Sequence, residues 1–425
     1  MEIEIEDHHQ DMVEKDTKNK YDIAIIGAGP AGMMAAIQSA RNNLRVVLLE
    51  KNEKLGKKLL LTGGRRCNLT NAEFDLKKLV ENYNNGEFLF HAFSVFGPKQ
   101  TIEFFEKIGI KTKIESGKRV FPVGDDADDI LEALKVRLKE NNVEILYGSE
   151  VTDIVKKGKK IIKIVLKKDE IVAKNYILAT GGKSYSQTGS NGFGYKLAEK
   201  LGHTIIKPMP AVSPIRLTEN WVKDLQGISL KNIKINVLLG GKKIISENGE
   251  IIFTHFGISG PAALNISGKV GELLEEGEVK MSLDLFPELN QEEVLKSFEE
   301  ILKKYPKQII KNILCEIAPE RFAEVLLNVV KIEKTKIANN MSKIEKLAVI
   351  KIIKNFEVTV EDILGFEGAM VTRGGISLKE IDHKTMKSSI IDNLSFAGEI
   401  IDVDGKTGGF NLQMCWSTGY LAGQS

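Results

Sequence analysis

The sequence predicts an α/β fold of the Rossmann type, interrupted by an inserted β-rich, barrel-like subdomain and by a helical subdomain. Three observations predict it. An apolar run rich in β-branched residues at 21–26 leads into a glycine turn at 27–32 and then into MMAAIQSARNN, a good helix former. A second apolar run, LRVVLLE, ends on Glu50. Strand, glycine turn, helix and strand in this order are typical of a dinucleotide-binding unit.

The glycine turn, GAGPAG, supplies the first candidate cofactor contacts. Gly27 permits the tight turn, Gly29 lets the backbone approach a pyrophosphate, and Gly32 allows the helix to pack closely on the strand. The following helix presents its first N–H groups and the positive end of its dipole to phosphate oxygens. The candidate contacts in this turn are Gly27, Gly29, Pro30, Ala31 and Gly32.

The acid at the end of the second strand is the expected partner of a ribose hydroxyl. Glu50 closes that strand, and Lys51 follows it as a further candidate contact. A carboxylate at this place disfavours a ribose 2′-phosphate, because the two anions repel each other. The alternative is a surface acid at a strand end. Strand, turn, helix, strand and acid all stand in register here, which favours the dinucleotide interpretation.

Length and composition limit the classes of protein to which this chain can belong. A chain of 425 residues is too long for one hydrophobic core and is expected to form two or three domains. Its 60 Lys and Arg nearly cancel its 58 Asp and Glu, which gives no reason to expect a nucleic-acid or membrane partner. Residues 1–19 lack the apolar stretch of a signal peptide and are expected to form the disordered tail of a cytoplasmic protein.

The cysteines exclude several redox and metal chemistries. Cys67, Cys315 and Cys415 are far apart in the sequence and form no Cys-x-x-Cys pair and no Cys/His spacing that would hold zinc. Neither a disulfide reductase nor a metal site is therefore expected. Each cysteine is expected to be a small buried hydrophobe.

The segment after the second strand points to the cofactor through a resemblance. Residues 56–71 read GKKLLLTGGRRCNLTN. This resembles the family of FAD-dependent oxidoreductases that includes aminoacetone oxidases and bacterial dehydro bile acid reductases, more distantly related to the flavoproteins of fumarate reductase and succinate dehydrogenase. In that family a G-G-G-R-C-N-x-T-N loop lies along the FAD. The resemblance implies FAD as the cofactor and contacts to it from Lys58, Gly63, Gly64, Arg66 and Asn68.

One position of this loop departs from the family pattern. Arg65 stands where the third glycine is usual. Either the backbone approaches FAD less closely there, or Arg65 points away. Covalently flavinylated relatives carry a histidine in the loop, and its absence from this sequence implies noncovalent FAD.

Two further segments resemble the same family. Residues 175–182, NYILATGG, are expected to form a strand ending in glycines, after a hairpin whose first residues meet the adenine in the family. The chain then closes with a strand, an acidic loop, a glycine turn and LQMCWSTGYLAG, which suggests an amphipathic helix. The family places the acid near the ribityl chain, and backbone N–H groups of the turn against the flavin edge that gains negative charge on reduction. The implied FAD contacts are Val151, Ala179, Thr180, Gly181, Gly398, Glu399, Asp404, Gly408, Gly409, Phe410, Asn411 and Leu412.

The resemblance spreads over both ends of the chain and predicts its domains. An FAD-binding domain is expected from residues 20–205 and 368–425. Between them, β-rich runs with turns predict a substrate domain of residues 206–288 and 357–367. Long glycine-free runs of Lys, Glu, Ile and Leu predict a helical subdomain over 289–356.

These expectations together predict an FAD-dependent oxidoreductase. Hydride would pass between noncovalently bound FAD and a small organic substrate, either an amine or an unsaturated carbonyl compound. Arg373 lies in a segment that resembles the T-x-G-G-[IV] stretch beside the flavin, and is a candidate to polarise a carbonyl; the alternative is a structural arginine. His255 is a candidate proton carrier, and the alternative is a hydrogen-bonded support.

The sequence leaves the reductant of the flavin and the function class open. No second G-x-G-x-x-G occurs, so NAD(P)H as a transient reductant would have to visit the substrate cleft or bind the insertion without a recognisable motif. An RNA-modifying flavoenzyme and a non-catalytic redox-sensing flavoprotein are the two alternative classes. Basic stretches such as 303–307 alternate with acids at helical spacing, which favours solvated helix faces over a nucleic-acid surface.

Overall fold

The chain folds into two compact units. The computed structural model describes residues 20–41 and 43–424, and the tail predicted for residues 1–19 lies outside them. The first unit runs from the beginning of the described residues to Pro208 and resumes at Val371. The inserted unit comprises Met209–Met370. The first unit is therefore assembled from both ends of the chain.

The strands are numbered in chain order. They are β1 Lys20–Ile26, β2 Val46–Leu49, β3 Thr70–Asn71, β4 Tyr83–Asn84, β5 Thr112–Glu115, β6 Arg119–Pro122, β7 Glu144–Leu146, β8 Val151–Lys157, β9 Lys160–Leu166, β10 Glu170–Leu178, β11 Ile205–Ala211, β12 Ile215–Leu217, β13 Ser229–Leu239, β14 Lys242–Phe253, β15 Gly257–Ser259, β16 Val279–Asp284, β17 Phe356–Ile363, β18 Val371–Ile376, β19 Leu394–Phe396 and β20 Asp404–Gly405.

The helices of the described residues are numbered in the same way. They are α1 Pro30–Ala40, α2 Leu76–Val80, α3 Phe90–Val95, α4 Pro98–Lys107, α5 Ala127–Glu140, α6 Phe193–Leu201, α7 Pro261–Leu274, α8 Gln291–Lys304, α9 Ile310–Leu314, α10 Glu320–Val329, α11 Lys343–Lys354 and α12 Phe410–Gln424. In the part of the chain that the structure describes, none of them is long and apolar enough to cross a membrane.

A seven-stranded mixed sheet organises the first unit. Its strand order is β7-β2-β1-β10-β9-β8, with β19 paired to the end of β10. Strand β1 pairs in parallel on both sides, so that Ile25 lies opposite Leu48 of β2 and Ile177 of β10. Strands β7 and β19 also join in parallel, whereas β8 and β9 form the antiparallel hairpin predicted from the sequence. The carboxyl ends of the parallel strands meet at one edge, where open α/β sheets bind their ligands.

The C-terminal helix α12 packs directly on α1. An added Cβ at Gly419 would lie 2.4 Å from Ala31 O, and one at Gly423 would lie 2.5 Å from Ala35 O. The two glycines thus let the backbones of the helices touch. This contact brings the last segment of the chain onto the helix that follows the glycine turn.

The prediction of an amphipathic helix at the C-terminus is wrong. Helix α12 is buried on nearly all sides, including its polar residues. Gln413 and Ser417 both donate hydrogen bonds to Phe96 O, at 3.1 and 2.6 Å, and Trp416 Nε1 donates to Leu69 O at 2.9 Å. Because these polar groups are satisfied inside the protein, they mark no solvent-facing side.

The inserted unit is built around a closed antiparallel barrel. Its strand order is β12-β15-β14-β13-β16-β17, which confirms the predicted barrel-like, β-rich subdomain. Helices α8 to α11 bury an apolar cluster of their own, and α10 also contributes to the barrel core. The fully buried ring of Phe322 on α10 lies 5.7 Å from that of Phe253 and 5.3 Å from that of Phe356, measured between ring centroids. The barrel and the helices therefore share hydrophobic packing.

Replacing Phe322 by Ala should destabilise the inserted unit by about 3–5 kcal/mol, since it opens a cavity among aromatic rings. Denaturant unfolding followed through the fluorescence of Trp221, which packs on the same cluster, measures the change. Ile344→Ala is the matched control, because this side chain on α11 is 80% exposed and should shift stability by less than about 0.5 kcal/mol. Equal losses in the two variants would contradict the shared core.

Candidate cofactor site

A cleft lies at the carboxyl ends of β1, β2 and β10 in the first unit, and together with the open solvent at its mouth it occupies about 890 Å³. We call it the nucleotide cleft. The residues that were predicted from the sequence and that line it are Gly27, Gly29, Glu50, Lys51, Lys58, Val151, Ala179, Thr180, Gly181 and Glu399. Lining residues that the prediction omitted include Asn52, Lys57, Ser149, Glu150, Ser190 and Asn191.

The three glycines of the turn lie in different surroundings. Gly27 has φ +101°, and an added Cβ there would lie 2.6 Å from Ala179 O. An added Cβ at Gly32 would lie 1.9 Å from Gly27 O, which would prevent α1 from packing on the turn. At Gly29, φ is −78° and an added Cβ would meet nothing within 4 Å. The fold itself does not require glycine at that position, so the open space beside it is available to a ligand.

Glu50 is buried at the end of β2, and three donors hold its carboxylate. Ala28 N–H donates to Oε2 at 3.2 Å. The backbone N–H and the Nδ2 of Asn52 both donate to Oε1, at 2.9 and 2.7 Å. A carboxylate offers about four acceptor positions, so one is left for the hydroxyl of a ribose.

An ion pair closes the floor of the cleft. Lys58 Nζ donates to Glu399 Oε2 at 2.7 Å and to Ser184 Oγ at 2.8 Å. The other oxygen of Glu399 accepts from Thr372 N–H at 2.8 Å and from Ser184 Oγ at 3.1 Å. The two charged side chains are 23% and 11% exposed. This network joins four separate segments of the chain beneath the cleft.

The nucleotide cleft suits a ligand that carries both phosphate and ribose. Its lysines, Lys51, Lys57 and Lys58, are balanced by the three glutamates Glu50, Glu150 and Glu399. Burial lowers the pKa of the Lys51 ammonium. Gly29, the N-cap residue of α1, lines the cleft, so the N-terminus of this helix is a candidate source of attraction for phosphate. The free acceptor position of Glu50 is the matching candidate for a ribose hydroxyl.

The predicted FAD loop adopts left-handed backbone conformations. Gly63, Gly64 and Arg65 have φ +58°, +68° and +71°. An added Cβ at Gly63 would lie 2.8 Å from Asn68 N, whereas at Gly64 it would meet nothing within 4 Å. An L-residue in this conformation costs about 1–2 kcal/mol. Arg65 keeps this backbone, which favours glycine, and its side chain is exposed.

Arg66 is held by the β5–β6 hairpin. Its Nη2 lies 2.5 Å from both Glu115 Oε1 and Asp125 Oδ1, and its guanidinium carbon lies 4.1 Å from the centroid of the Phe121 ring. Arg66 does not line the nucleotide cleft. Its proposed contact with FAD stays a prediction.

The glycine turn before α12 packs against the segment around β3. With its amide oriented to suit its neighbours, Asn68 accepts a hydrogen bond from Gly409 N–H at 3.0 Å. An added Cβ at Gly409 would lie 2.3 Å from Thr70 O. The Gly409 N–H thus already has a protein acceptor. The N–H groups of residues 410–412, in the first turn of α12, have no acceptor within the helix and are the remaining candidates for the flavin edge.

Several other residues predicted to bind FAD hold the C-terminal segment together. Gly398 N–H donates to Thr418 Oγ1, Gly408 O accepts from Asn71 Nδ2, and Phe410 O accepts from the Tyr83 hydroxyl. The side-chain amide of Asn411 closes the turn at Gly405, to which it donates and from which it accepts. Leu412, like Pro30, Ala31 and Gly32 in α1, is part of a helix. These hydrogen bonds join protein groups to one another, and the contacts to FAD predicted for this segment stay predictions.

Arg373 forms a two-pronged ion pair with Asp404. Its Nε donates to Oδ1 at 3.0 Å and its Nη2 donates to Oδ2 at 3.1 Å. Burial and the neighbouring Asp404 raise the pKa of Asp402 to about 6, while Arg373 opposes this shift. The pair gives Arg373 a structural task in the first unit. The role of Arg373 in polarising a carbonyl stays a prediction.

Two other side chains singled out in the sequence lie in different settings. His255 belongs to the inserted unit, where it is exposed in the turn between β14 and β15 and its ring stands edge-on to Phe256 at 4.9 Å. Cys67 is fully buried in the first unit, and burial raises the pKa of its thiol to about 12. The thiol is therefore protonated at neutral pH and is not a nucleophile.

Comparison with known protein families matches residues 21–425 to the HI0933-like protein Rossmann domain. The chain belongs to this family. It is 35% identical over 406 residues to the 3-dehydro-bile acid Δ(4,6)-reductase of Clostridium scindens, covering 95% of this chain and 98% of that relative. It is 32% identical over 417 residues to the ribosomal RNA dihydrouridine synthase of Haemophilus influenzae, covering 94% and 97%. The resemblance noted in the sequence is confirmed: the protein is an FAD-dependent oxidoreductase.

Solved structures confirm the fold class. The 3-ketosteroid-Δ4-(5α)-dehydrogenase of Rhodococcus jostii RHA1 matches with a TM-score of 0.52 and 15% identity, over 96% of this chain and 97% of that one. The 3-ketosteroid Δ1-dehydrogenase of Sterolibacterium denitrificans matches with a TM-score of 0.51 and 12% identity, over 96% and 99%. At such low identities the likeness concerns the fold alone.

Gly29→Ala and Gly32→Ala should separate cofactor binding from folding. The first introduces a methyl group into the ligand space and should raise the FAD dissociation constant at least about tenfold, with the melting temperature of the apoprotein unchanged. The second drives a methyl group into Gly27 O and should lower that melting temperature, with a loss of about 1–3 kcal/mol or more. Normal FAD binding by Gly29→Ala would place the pyrophosphate elsewhere.

Lys58→Met should destabilise the protein by about 1–3 kcal/mol at neutral pH, because it leaves the Glu399 carboxylate without its cation. Denaturant unfolding measures this. Lys58→Met combined with Glu399→Gln should recover most of the loss, because the neutral amide needs no cation. An equal loss in the single and double variants would show that the charge of Glu399 is not its cause.

Proposed function

We propose that this FAD-dependent oxidoreductase transfers hydride between noncovalently bound FAD and a small organic substrate, and that the substrate is an unsaturated carbonyl compound. The observation that carries the proposal is the 35% identity, over nearly the whole length of both chains, to a relative named for the reduction of a 3-dehydro bile acid at Δ(4,6). That name describes a carbonyl at one position and double bonds at others. The amine class predicted beside it has no such support.

The residues of the cleft have defined tasks in this proposal. FAD, when bound, supplies the two-electron hydride chemistry. The N-terminus of α1 binds its pyrophosphate beside Gly29, and Glu50 accepts from the ribose. The first N–H groups of α12 stabilise negative charge on the adjoining flavin edge. None of these contacts is covalent, in keeping with the lack of histidine in residues 56–71.

Reduction of an unsaturated carbonyl also needs a proton and a polarising group. Hydride adds to one carbon of the double bond, and the neighbouring carbon takes a proton from an acid. We propose the imidazole of His255 as the proton carrier and the inserted unit as the source of substrate specificity. We keep Arg373 as the group that would polarise the carbonyl, in competition with its ion pair to Asp404. NAD(P)H is the proposed reductant.

A second candidate function follows from two relatives. The chain is 32% and 29% identical to ribosomal RNA dihydrouridine synthases of Haemophilus influenzae and Escherichia coli, again over nearly the whole length. Uracil also contains a double bond conjugated to a carbonyl, so the chemistry would be of the same kind. Charge weighs against this candidate, because the inserted unit holds 21 Lys and Arg against 23 Asp and Glu. A surface that binds RNA phosphates is expected to be clearly basic.

The proposed chemistry can be tested by reoxidation of the reduced protein without oxygen. Holoenzyme reduced with dithionite should recover the visible absorbance of oxidised flavin when mixed with a steroid enone, at about 1 s⁻¹ or faster. The saturated ketone of the same steroid is the matched control and should leave the flavin reduced. No recovery with any enone would contradict the proposal.

The same reduced protein distinguishes the alternatives. Incubation with unmodified ribosomal RNA, followed by mass spectrometry of its nucleosides, should show no dihydrouridine, and its appearance would favour the second candidate. Rapid bleaching of the oxidised flavin by NADH or NADPH is expected. Failure of every substrate and reductant would favour a redox sensor.

A further inference from the structure

Asn52, which none of the sequence motifs singled out, makes an unusual set of hydrogen bonds. It stands two residues after Glu50 at the rim of the nucleotide cleft. Its Nδ2 donates to Glu50 Oε1 at 2.7 Å and to Thr188 O at 3.0 Å. Its own backbone N–H donates to the same Glu50 oxygen at 2.9 Å, and its Oδ1 accepts from Lys57 Nζ at 3.2 Å. The side-chain amide thus uses both its donors and its acceptor.

The chain packs closely around Asn52 on two further sides. Gly189 has φ +109°, and an added Cβ there would lie 2.7 Å from Asn52 Nδ2 and 2.9 Å from Lys51 Cε. Gly148 N–H donates to Asn52 O at 3.2 Å from another side. Asn52 therefore ties together the end of β2, the 56–58 loop and the 186–189 turn, which all belong to the first unit and form walls of the same cleft.

We propose that Asn52 is a positioning residue, which fixes the Glu50 carboxylate in the geometry that the AMP half of FAD requires. Glu50 can accept from a ribose hydroxyl only if its free acceptor position points into the cleft, and Asn52 holds the other side of the same carboxylate. A carboxylate that is already oriented loses less conformational freedom when the ligand binds.

Few other side chains could take this place. Asp has the same shape but donates no hydrogen bond, and it would bring a second anion to within hydrogen-bond distance of Glu50. Ala would remove the donors without adding charge. The proposal concerns cofactor binding alone, so it does not depend on which substrate the enzyme reduces.

The experiment compares ligands that share different halves of FAD. Apoprotein of the wild type, Asn52→Asp and Asn52→Ala is titrated with FAD, ADP and FMN, and dissociation constants are measured by flavin fluorescence and calorimetry. Both variants should bind FAD and ADP about 10- to 100-fold more weakly, the range for a lost hydrogen bond to a charged group. FMN lacks the AMP half, so its affinity should stay within about twofold.

Asn82→Asp is the matched control. Like Asn52→Asp, it adds one negative charge to the first unit. It also removes a hydrogen bond from a side-chain amide to a backbone carbonyl, the one that Asn82 Nδ2 donates to Lys78 O. Its affinity for all three ligands should be unchanged. If Asn52→Asp does not fold, Asn52→Ala carries the test alone.

A double-mutant cycle tests whether Asn52 acts through Glu50. In a Glu50→Ala background, Asn52→Ala should cause less than about a twofold further loss of FAD affinity. Full, additive losses would overturn the proposal, and so would unchanged FAD affinity in the single variants or a parallel loss for FMN. A failed substrate screen would leave all these binding results standing, because none of them reads turnover.

Discussion

The structure depends on a close backbone approach at the start of the chain. The turn after β1 passes so near the end of β10 that a Cβ at Gly27 would lie 2.6 Å from Ala179 O, and α1 begins so near the turn that a Cβ at Gly32 would lie 1.9 Å from Gly27 O. These two approaches aim the N-terminus of α1 at the edge of the sheet. They also bring Ala28 N–H to Glu50, so that the proposed phosphate site and the proposed ribose contact arise from one local geometry.

The proposed phosphate site lies in a cleft without excess positive charge. Its lysines and glutamates are equal in number, and Lys58 is already paired with Glu399. Oriented N–H groups at a helix N-terminus attract phosphate through their partial positive charge, without adding a full charge to the cleft. A cleft that attracts phosphate in this way keeps its acids for other contacts. Glu399 joins chain segments at the floor of the cleft, and the neutral amide of Asn52 joins others at its rim.

The sequence predicted those features that follow from local chemistry. Strand β1, the glycine turn, α1 and the acid after β2 lie close together in the chain, and each residue type there has one physical reason. The barrel was also predictable, since alternating apolar residues bounded by turns have few other solutions. The left-handed backbone of Arg65 was not predictable from its residue type, because an arginine rarely adopts it. Only the family pattern, which usually has glycine at this position, hinted at that conformation.

What the sequence could not show are pairs that the fold brings together from far apart. Arg66 resembles a cofactor ligand in its motif, yet its partners Glu115 and Asp125 come from a hairpin some fifty residues later. Helix α12 looks amphipathic because Gln413 and Ser417 are polar, but both bond to the carbonyl of Phe96, more than three hundred residues earlier.

A cofactor site therefore shows in sequence through its glycines and acids, which few other residues can replace. A core of interchangeable apolar residues, as in the inserted unit, tolerates many sequences of equal volume and so carries little record of its ligand. This is why the dinucleotide-binding fold could be predicted from its residues and FAD from the family they identify, while the substrate has to be proposed from individual relatives.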